Sequence, residues 1–141
     1  MSSEKDRLKS LIEDAEKLHG HLGPFLVIGV RMGIIAQKTL NEKMHATVKV
    51  PLSTPFSCII DGVQATTKCT VGNQKLKVED AKGEIIAYFK APNPSKTLKI
   101  TVNQKIVDEL LRRLSEGASG EVLAWEIARK PEHELFKIET Q

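Results

Sequence analysis

At 141 residues the chain is long enough to bury a core without staples, and its length allows one domain. Hydrophobic residues make up 40% and charged residues 28%, with a net charge of +3 and basic residues interleaved with acidic ones, a balance that gives no reason to expect nucleic acid or a membrane surface as partner. Aromatic residues, at 4%, are too few for a base-stacking platform, and two cysteines cannot form a disulfide framework; their use points to a reducing cytoplasm with thiols open to metal or redox chemistry.

The N-terminus is charged and lacks the apolar run of a signal peptide. Ser3 caps a first helix in which Leu8, Leu11, Ile12, Ala15 and Leu18 recur at i, i+3, i+4 and i+7, and Gly20 suits its left-handed stop. His19-Gly-His-Leu-Gly-Pro24 then forms a tight loop, and Pro24 opens a second helix running to about Leu40. That helix is apolar on nearly every face, so protein surrounds it; its longest apolar run, Leu22 to Ala36, contains Arg31 and falls short of the roughly 20 residues a bilayer span needs. Gly29 and Gly33, one turn apart, make a strip that another backbone or a ligand can approach closely, close helix–sheet packing being the commoner reason for one.

His45 to Val50 alternates and reads as a strand closed by Pro51. Ser57 is placed to cap a third helix from Cys58 to about Lys68. Leu76 and Val78 begin a strand, Asp80 to Gly83 supplies a turn, and Glu84 to Ala91 returns, so a hairpin is expected. Leu98, Ile100 and Val102 alternate in a further strand. Asn103 caps a fourth helix ending at Gly117; a fifth covers about Glu121 to Arg129, and Leu135 to Ile138 adds an edge strand. Sequential strands with helices at both ends indicate an α+β fold with a mainly antiparallel sheet, an α/β layer with a parallel pair being the runner-up.

Two features carry chemistry. On an extended or looped backbone His19 and His21 point the same way and converge, though two solvated loop histidines would show the same spacing. Cys58, Asp61, Ala65 and Cys69 fall within about an 80° arc of one helical face. Cys58 and Asp61 thus stand side by side near a helix N-terminus, where the dipole favours a thiolate. Both thiols would equally serve as small buried hydrophobes. Along a straight helix the two cysteines are roughly 16 Å apart, so they share one ion only if the helix ends early and Cys69 curls back. Where one thiol is indispensable, Cys69 is favoured, because the chain leaves its helix there beside Thr70 and Gly72 and gives it more freedom to reach the loop, with Cys58 completing the sphere or lining the pocket.

These blocks (His19 to Pro24, Gly29-Val-Arg-Met-Gly33, Cys58-Ile-Ile-Asp-Gly-Val-Gln64 and Cys69-Thr-Val-Gly72) resemble the FmdE family of formylmethanofuran dehydrogenase components. The likeness is close from about Leu18 to Leu76, with four blocks in the family's order. It implies a single α+β domain over residues 1–141, a metal- or redox-competent site and a homodimer. By motif position His19, His21, Cys58 and Cys69 carry over as metal ligands, Asp61 as a base or an orienting carboxylate, and Gln64 and Thr70 as cofactor-binding neighbours. Two positions depart from the pattern: Gly23 stands where the family loop has a cysteine, and Lys68 replaces the glycine before the second cysteine. No cysteine follows Cys69 in these 141 residues, so the cysteine cluster that some members carry after the core domain is not expected here.

The leading expectation is a metal-binding domain, with zinc or a similar divalent ion on imidazole and thiolate ligands. An accessory component of a molybdenum or tungsten enzyme, or a module for a small-molecule cofactor, is the first alternative. The second is an acyl- or thiol-transfer enzyme with a cysteine nucleophile beside a histidine.

Overall fold

Ser3 and Asp6 close a reciprocal capping box at the start of α1 (Glu4–His19): the Ser3 hydroxyl accepts from the Asp6 N–H at 3.1 Å, and the Asp6 carboxylate accepts from the Ser3 N–H at 3.3 Å. In the computed structural model, which describes residues 3–40, 43–92 and 95–141, this helix ends at Gly20 in the left-handed conformation (φ 101°). The chain turns there and re-enters helix at once as α2 (Pro24–Leu40), in which every residue from Pro24 to Val30 is buried.

Five strands follow: β1 (His45–Val50), β2 (Leu76–Asp80), β3 (Ile86–Pro92), β4 (Ser95–Val102) and β5 (Phe136–Thr140), in the spatial order β2-β1-β3-β4-β5. Between β1 and β2 lies α3 (Cys58–Thr67); α4 (Gln104–Ser115), α5 (Gly120–Arg129) and the single turn α6 (Glu132–Leu135) separate β4 from β5. Asn103 caps α4 through the Lys105 N–H, and Ser119 caps α5 through the Val122 N–H. The fold is α+β, with every strand pair antiparallel except β1–β2.

Strand register sorts the side chains cleanly. Val78, Val48, Ala87, Ile100 and Ile138 stand opposite one another across all five strands and belong to the core. One residue along, Lys77, Thr47, Tyr88, Lys99 and Glu139 make the matching polar row on the other face. Helix α2 packs on β3 and β4 and is covered in turn by α1, α3 and α5. The enclosure expected of so apolar a helix is therefore met within one chain. Among the described residues no helix is long and apolar enough to cross a membrane.

The expected hairpin of the second and third strands does not form. Strand β1 lies between β2 and β3, and β2 pairs with β1 in parallel after the α3 crossover. Burial explains the order: β1 buries Ala46, Val48 and Val50, whereas β2 fully buries only Leu76 and carries Lys77, Glu79 and Asp80. A charged, short strand suits an edge, and the more apolar one takes the interior.

Arg31 is the charged group inside the α2 apolar run. Its guanidinium donates to the Ile127 carbonyl at 2.9 Å and to the Lys130 carbonyl, closing the C-terminus of α5. Burial lowers its pKa, with Glu132 opposing; the group stays charged because guanidinium titrates far above neutrality. Arg31→Met should strip those carbonyls of their donor and destabilise the fold by about 1–3 kcal/mol, read as a lower urea midpoint with an unchanged slope.

Candidate metal centre

Three glycines bring the two halves of the site together. A Cβ on Gly29 would stand 2.2 Å from the Ile59 carbonyl oxygen, and one on Gly62 would stand 2.2 Å from the Leu26 carbonyl oxygen. At Gly33 it would meet the Thr66 side chain at 2.8 Å. Helices α2 and α3 thus touch backbone to backbone, which only glycine permits. Because α2 begins directly after the His19–Pro24 loop, this contact holds the start of α3 against that loop.

The left-handed turn at Gly20 folds the loop so that the His19 and His21 rings stand 4.4 Å apart between centroids. His19 then reaches α3 with both nitrogens. Its Nδ1 lies 2.7 Å from the Asp61 Oδ2, and its Nε2 lies 3.1 Å from the Cys58 Sγ. An ionised carboxylate only accepts, so Nδ1–H donates to Asp61, and Nε2 faces the thiol as an acceptor. Gln64 steadies Asp61 from behind: its Nε2 donates to Asp61 Oδ1 at 3.0 Å while its Oε1 accepts from the Val71 N–H at 3.1 Å.

Cys58 is buried, His19 half-buried and His21 exposed, so the cluster opens to solvent on the His21 side. Desolvation, and then the Asp61 carboxylate, push the Cys58 thiol above its ordinary pKa. The helix start gives little relief. Ser57 has helical dihedrals (φ −65°, ψ −14°) and makes no side-chain cap, contrary to the expectation from sequence. A preceding turn instead takes up the first N–H groups, Cys58 on Pro55 O, Ile59 on Phe56 O and Ile60 on Ser57 O.

One donor atom from each of His19, His21 and Cys58 lies within 4.8 Å of the other two. Ligand atoms around a tetrahedral zinc stand about 3.3–3.6 Å apart, so no pair would have to close by more than about 1.5 Å, and the exposed His21 is the ring with room to turn. Two imidazoles and a thiol are donors suited to a borderline divalent ion, and a carboxylate on the far nitrogen of one imidazole is the usual support for such a ligand. The residues fit a metal.

The remaining candidates fall elsewhere. Cys69 sits past the other end of α3, roughly 15 Å along the axis from Cys58. Lys68 in the left-handed conformation (φ 62°) turns the chain, and the buried Cys69 thiol donates to the Met44 carbonyl at 3.2 Å. The early helix end that could have returned Cys69 to the loop directs it to the start of β1 instead. Thr70 and Asn73 hydrogen-bond each other reciprocally at 3.0 Å and fix the turn that presents the Val71 N–H to Gln64. Gly23 has open space beside it: an added Cβ would meet only the His21 Nε2, at 3.8 Å. The relay through Gln64 was missed from sequence, although its i, i+3 spacing from Asp61 on one helix face was the available signal.

Fold and cluster together define an α+β domain whose potential metal donors are divided between a His-Gly-His loop and a helix start. The chain belongs to the family described as FmdE, molybdenum formylmethanofuran dehydrogenase operon, whose model matches residues 18–138. It is 31% identical over 162 aligned positions to a protein of Archaeoglobus fulgidus named "Probable S-adenosyl-L-methionine-binding protein". That match takes in 96% of this chain but 43% of the relative, so the chain spans less than half the length of that curated protein. A crystal structure of a tungsten formylmethanofuran dehydrogenase FmdE-like protein from Syntrophus aciditrophicus shares the fold, with a TM-score of 0.67 and 22% identity over 95% of this chain and 71% of that one.

Proposed function

We propose that the domain binds one divalent transition ion, zinc foremost, through His19, His21 and Cys58, and leaves a position open for a small-molecule ligand. The observation that carries this reading is the convergence of three donor atoms within 4.8 Å while Asp61 holds the far nitrogen of His19. An ion held there would supply a Lewis-acid centre. Asp61 fixes the His19 tautomer, Gln64 fixes Asp61, and the exposed His21 ring swings to complete the set. Elemental analysis of protein purified without a histidine tag tests the reading: about one equivalent of metal supports it, and a metal-free protein that takes up no zinc on titration refutes it. Service beside a molybdenum or tungsten one-carbon enzyme belongs to the same proposal and is supported by the family description.

Ion binding must displace the Cys58 proton, which burial holds more tightly than an ordinary thiol holds its own. Zinc affinity should therefore climb with pH by up to about tenfold per unit and keep climbing past the usual thiol range. Competition titrations with a chelator across that range would show the slope. Asp61→Asn removes the charge that favours Nδ1–H on His19 and should weaken zinc binding by about 10–100-fold, again measured by competition.

The line Cys58 Sγ, His19 Nε2, His19 Nδ1, Asp61 Oδ2 favours a second reading, a cysteine nucleophile with an imidazole base. Two features count against it: the thiol pKa is raised, and the N–H groups at the start of α3 are already bonded, leaving them unable to act as oxyanion donors. Iodoacetamide labelling of Cys58 as a function of pH separates the two readings, because an activated thiol reacts fast below the ordinary thiol pKa and this one should not.

A further inference from the structure

At the opposite end of α3 from the His–Cys cluster, the C-termini of α2 and α3 meet the chain entering β1 and β2 around a cavity of about 480 Å³. Its size lies within the range of small-molecule sites. Of the nine described residues that line it five are cationic, Arg7, Lys38, Lys43, Lys68 and Lys75, and none of the nine is acidic. Two of these have local duties. Lys68 donates to the Ala65 carbonyl at 2.8 Å, offsetting the negative end of α3, and Lys38 pairs with Glu4 at 2.8 Å.

The other three form no ion pair among the described residues, although Arg7 stands close enough to the Glu4 carboxylate to help lower its pKa. Arg7 gives one N–H to the Gln37 Oε1 at 2.8 Å and keeps the rest of its fork, while Lys43 and Lys75 take part in no ion pair. Gathering five cations around one hollow, with the Glu4 carboxylate beside only Lys38 and Arg7, is unfavourable by mutual repulsion, and a multivalent anion reverses that sign. A planar guanidinium fork with two mobile ammonium groups suits a tetrahedral, several-oxygen anion better than a single flat carboxylate. The floor, by contrast, is the buried Cys69 and Met44, which offers a linked ligand body an apolar seat.

We propose that this cavity is a binding site for a small polyanion bearing phosphate groups, separate from the His–Cys cluster. The site takes its charge from five segments (α1, the ends of α2 and α3, and the entries to β1 and β2), so it exists only in the folded chain. Its independence from the metal reading is direct, since Cys58 contributes nothing to it.

The test is calorimetric titration of metal-free protein with inorganic tripolyphosphate at low and at high salt. Wild type should bind with a Kd below about 1 mM at low salt and more weakly at high salt. The double variant Lys43→Gln/Lys75→Gln should bind about tenfold or more weakly with a nearly unchanged melting temperature, since the exposed Lys43 and the half-buried Lys75 make no ion pair among the described residues. Cys58→Ser, and a control pair Lys90→Gln/Lys99→Gln on the polar face of the sheet, should bind as wild type does. No detectable heat with wild type, equal losses in the sheet control, or equal affinity for citrate would each overturn the proposal.

Discussion

Gly62→Ala should destabilise the domain by about 3 kcal/mol or more, a large share of the 5–15 kcal/mol typical of such folds, and should take zinc binding with it. The new methyl group would stand 2.2 Å from the Leu26 carbonyl oxygen, 2.7 Å from the Val30 nitrogen and 2.9 Å from the Gly29 carbonyl carbon. All three are backbone atoms of a buried helix, so no flexible side chain can yield. Relief requires α3 to move off α2, which also carries Cys58 and Asp61 away from His19. Gly83→Ala is the natural control, because a Cβ there meets nothing within 4 Å. Chemical denaturation of both variants checks the first claim, and a zinc titration of whatever Gly62→Ala remains folded checks the second. A Gly62→Ala midpoint matching wild type would mean that the helices do not touch as described.

The second large effect is a division between the two thiols. Cys58→Ser should weaken zinc binding by roughly 100-fold or more, since loss of a direct ligand exceeds the usual cost of losing a supporting partner. Cys69→Ser should change affinity by less than about twofold, because its thiol is engaged with Met44 at the far end of the helix. A serine there keeps a donor for that carbonyl, so stability should fall by no more than about 1 kcal/mol. Parallel titrations of the two variants decide the matter. The reverse pattern, Cys69 indispensable and Cys58 silent, would move the metal site away from the His19 loop altogether.

Local chemistry made much of this molecule readable in advance. Ser3, Gly20, Pro24 and Asn103 mark helix ends by what their own side chains or dihedrals can do, and those ends stand where the pattern put them. Glycine spacing in α2 announced a close backbone approach, and α3 makes it. Strand order was not local. The turn residues from Asp80 to Gly83 suggest a return, yet which strand accepts the returning chain depends on the burial of β1, more than thirty residues earlier. The site divides in the same way. The spacing of His19 and His21, and of Cys58 and Asp61, placed each pair on a common side, and the structure joins the pairs. The sequence favoured Cys69 over Cys58 as the indispensable ligand, and the structure sends it the other way, because its direction hangs on a single left-handed residue, Lys68, whose type gives no warning of it. The pairing of Gln64 with the Val71 N–H was hidden for the same reason: it needs the turn that Thr70 and Asn73 build.

The enclosure of α2 over residues 24–30 bears on how the domain opens. Sheet, α1, α3 and α5 all rest on that one helix, so removing any of them bares apolar surface on a segment with almost no polar side of its own. Partial opening is therefore disfavoured across most of the molecule, and amide protons from Phe25 to Val30 should exchange only through global unfolding. The charged edge strand β2 lies outside this arrangement and should exchange through smaller excursions. The His19 loop runs straight into this buried stretch of helix, which gives its imidazoles a fixed anchor on one side while His21 stays open to solvent on the other.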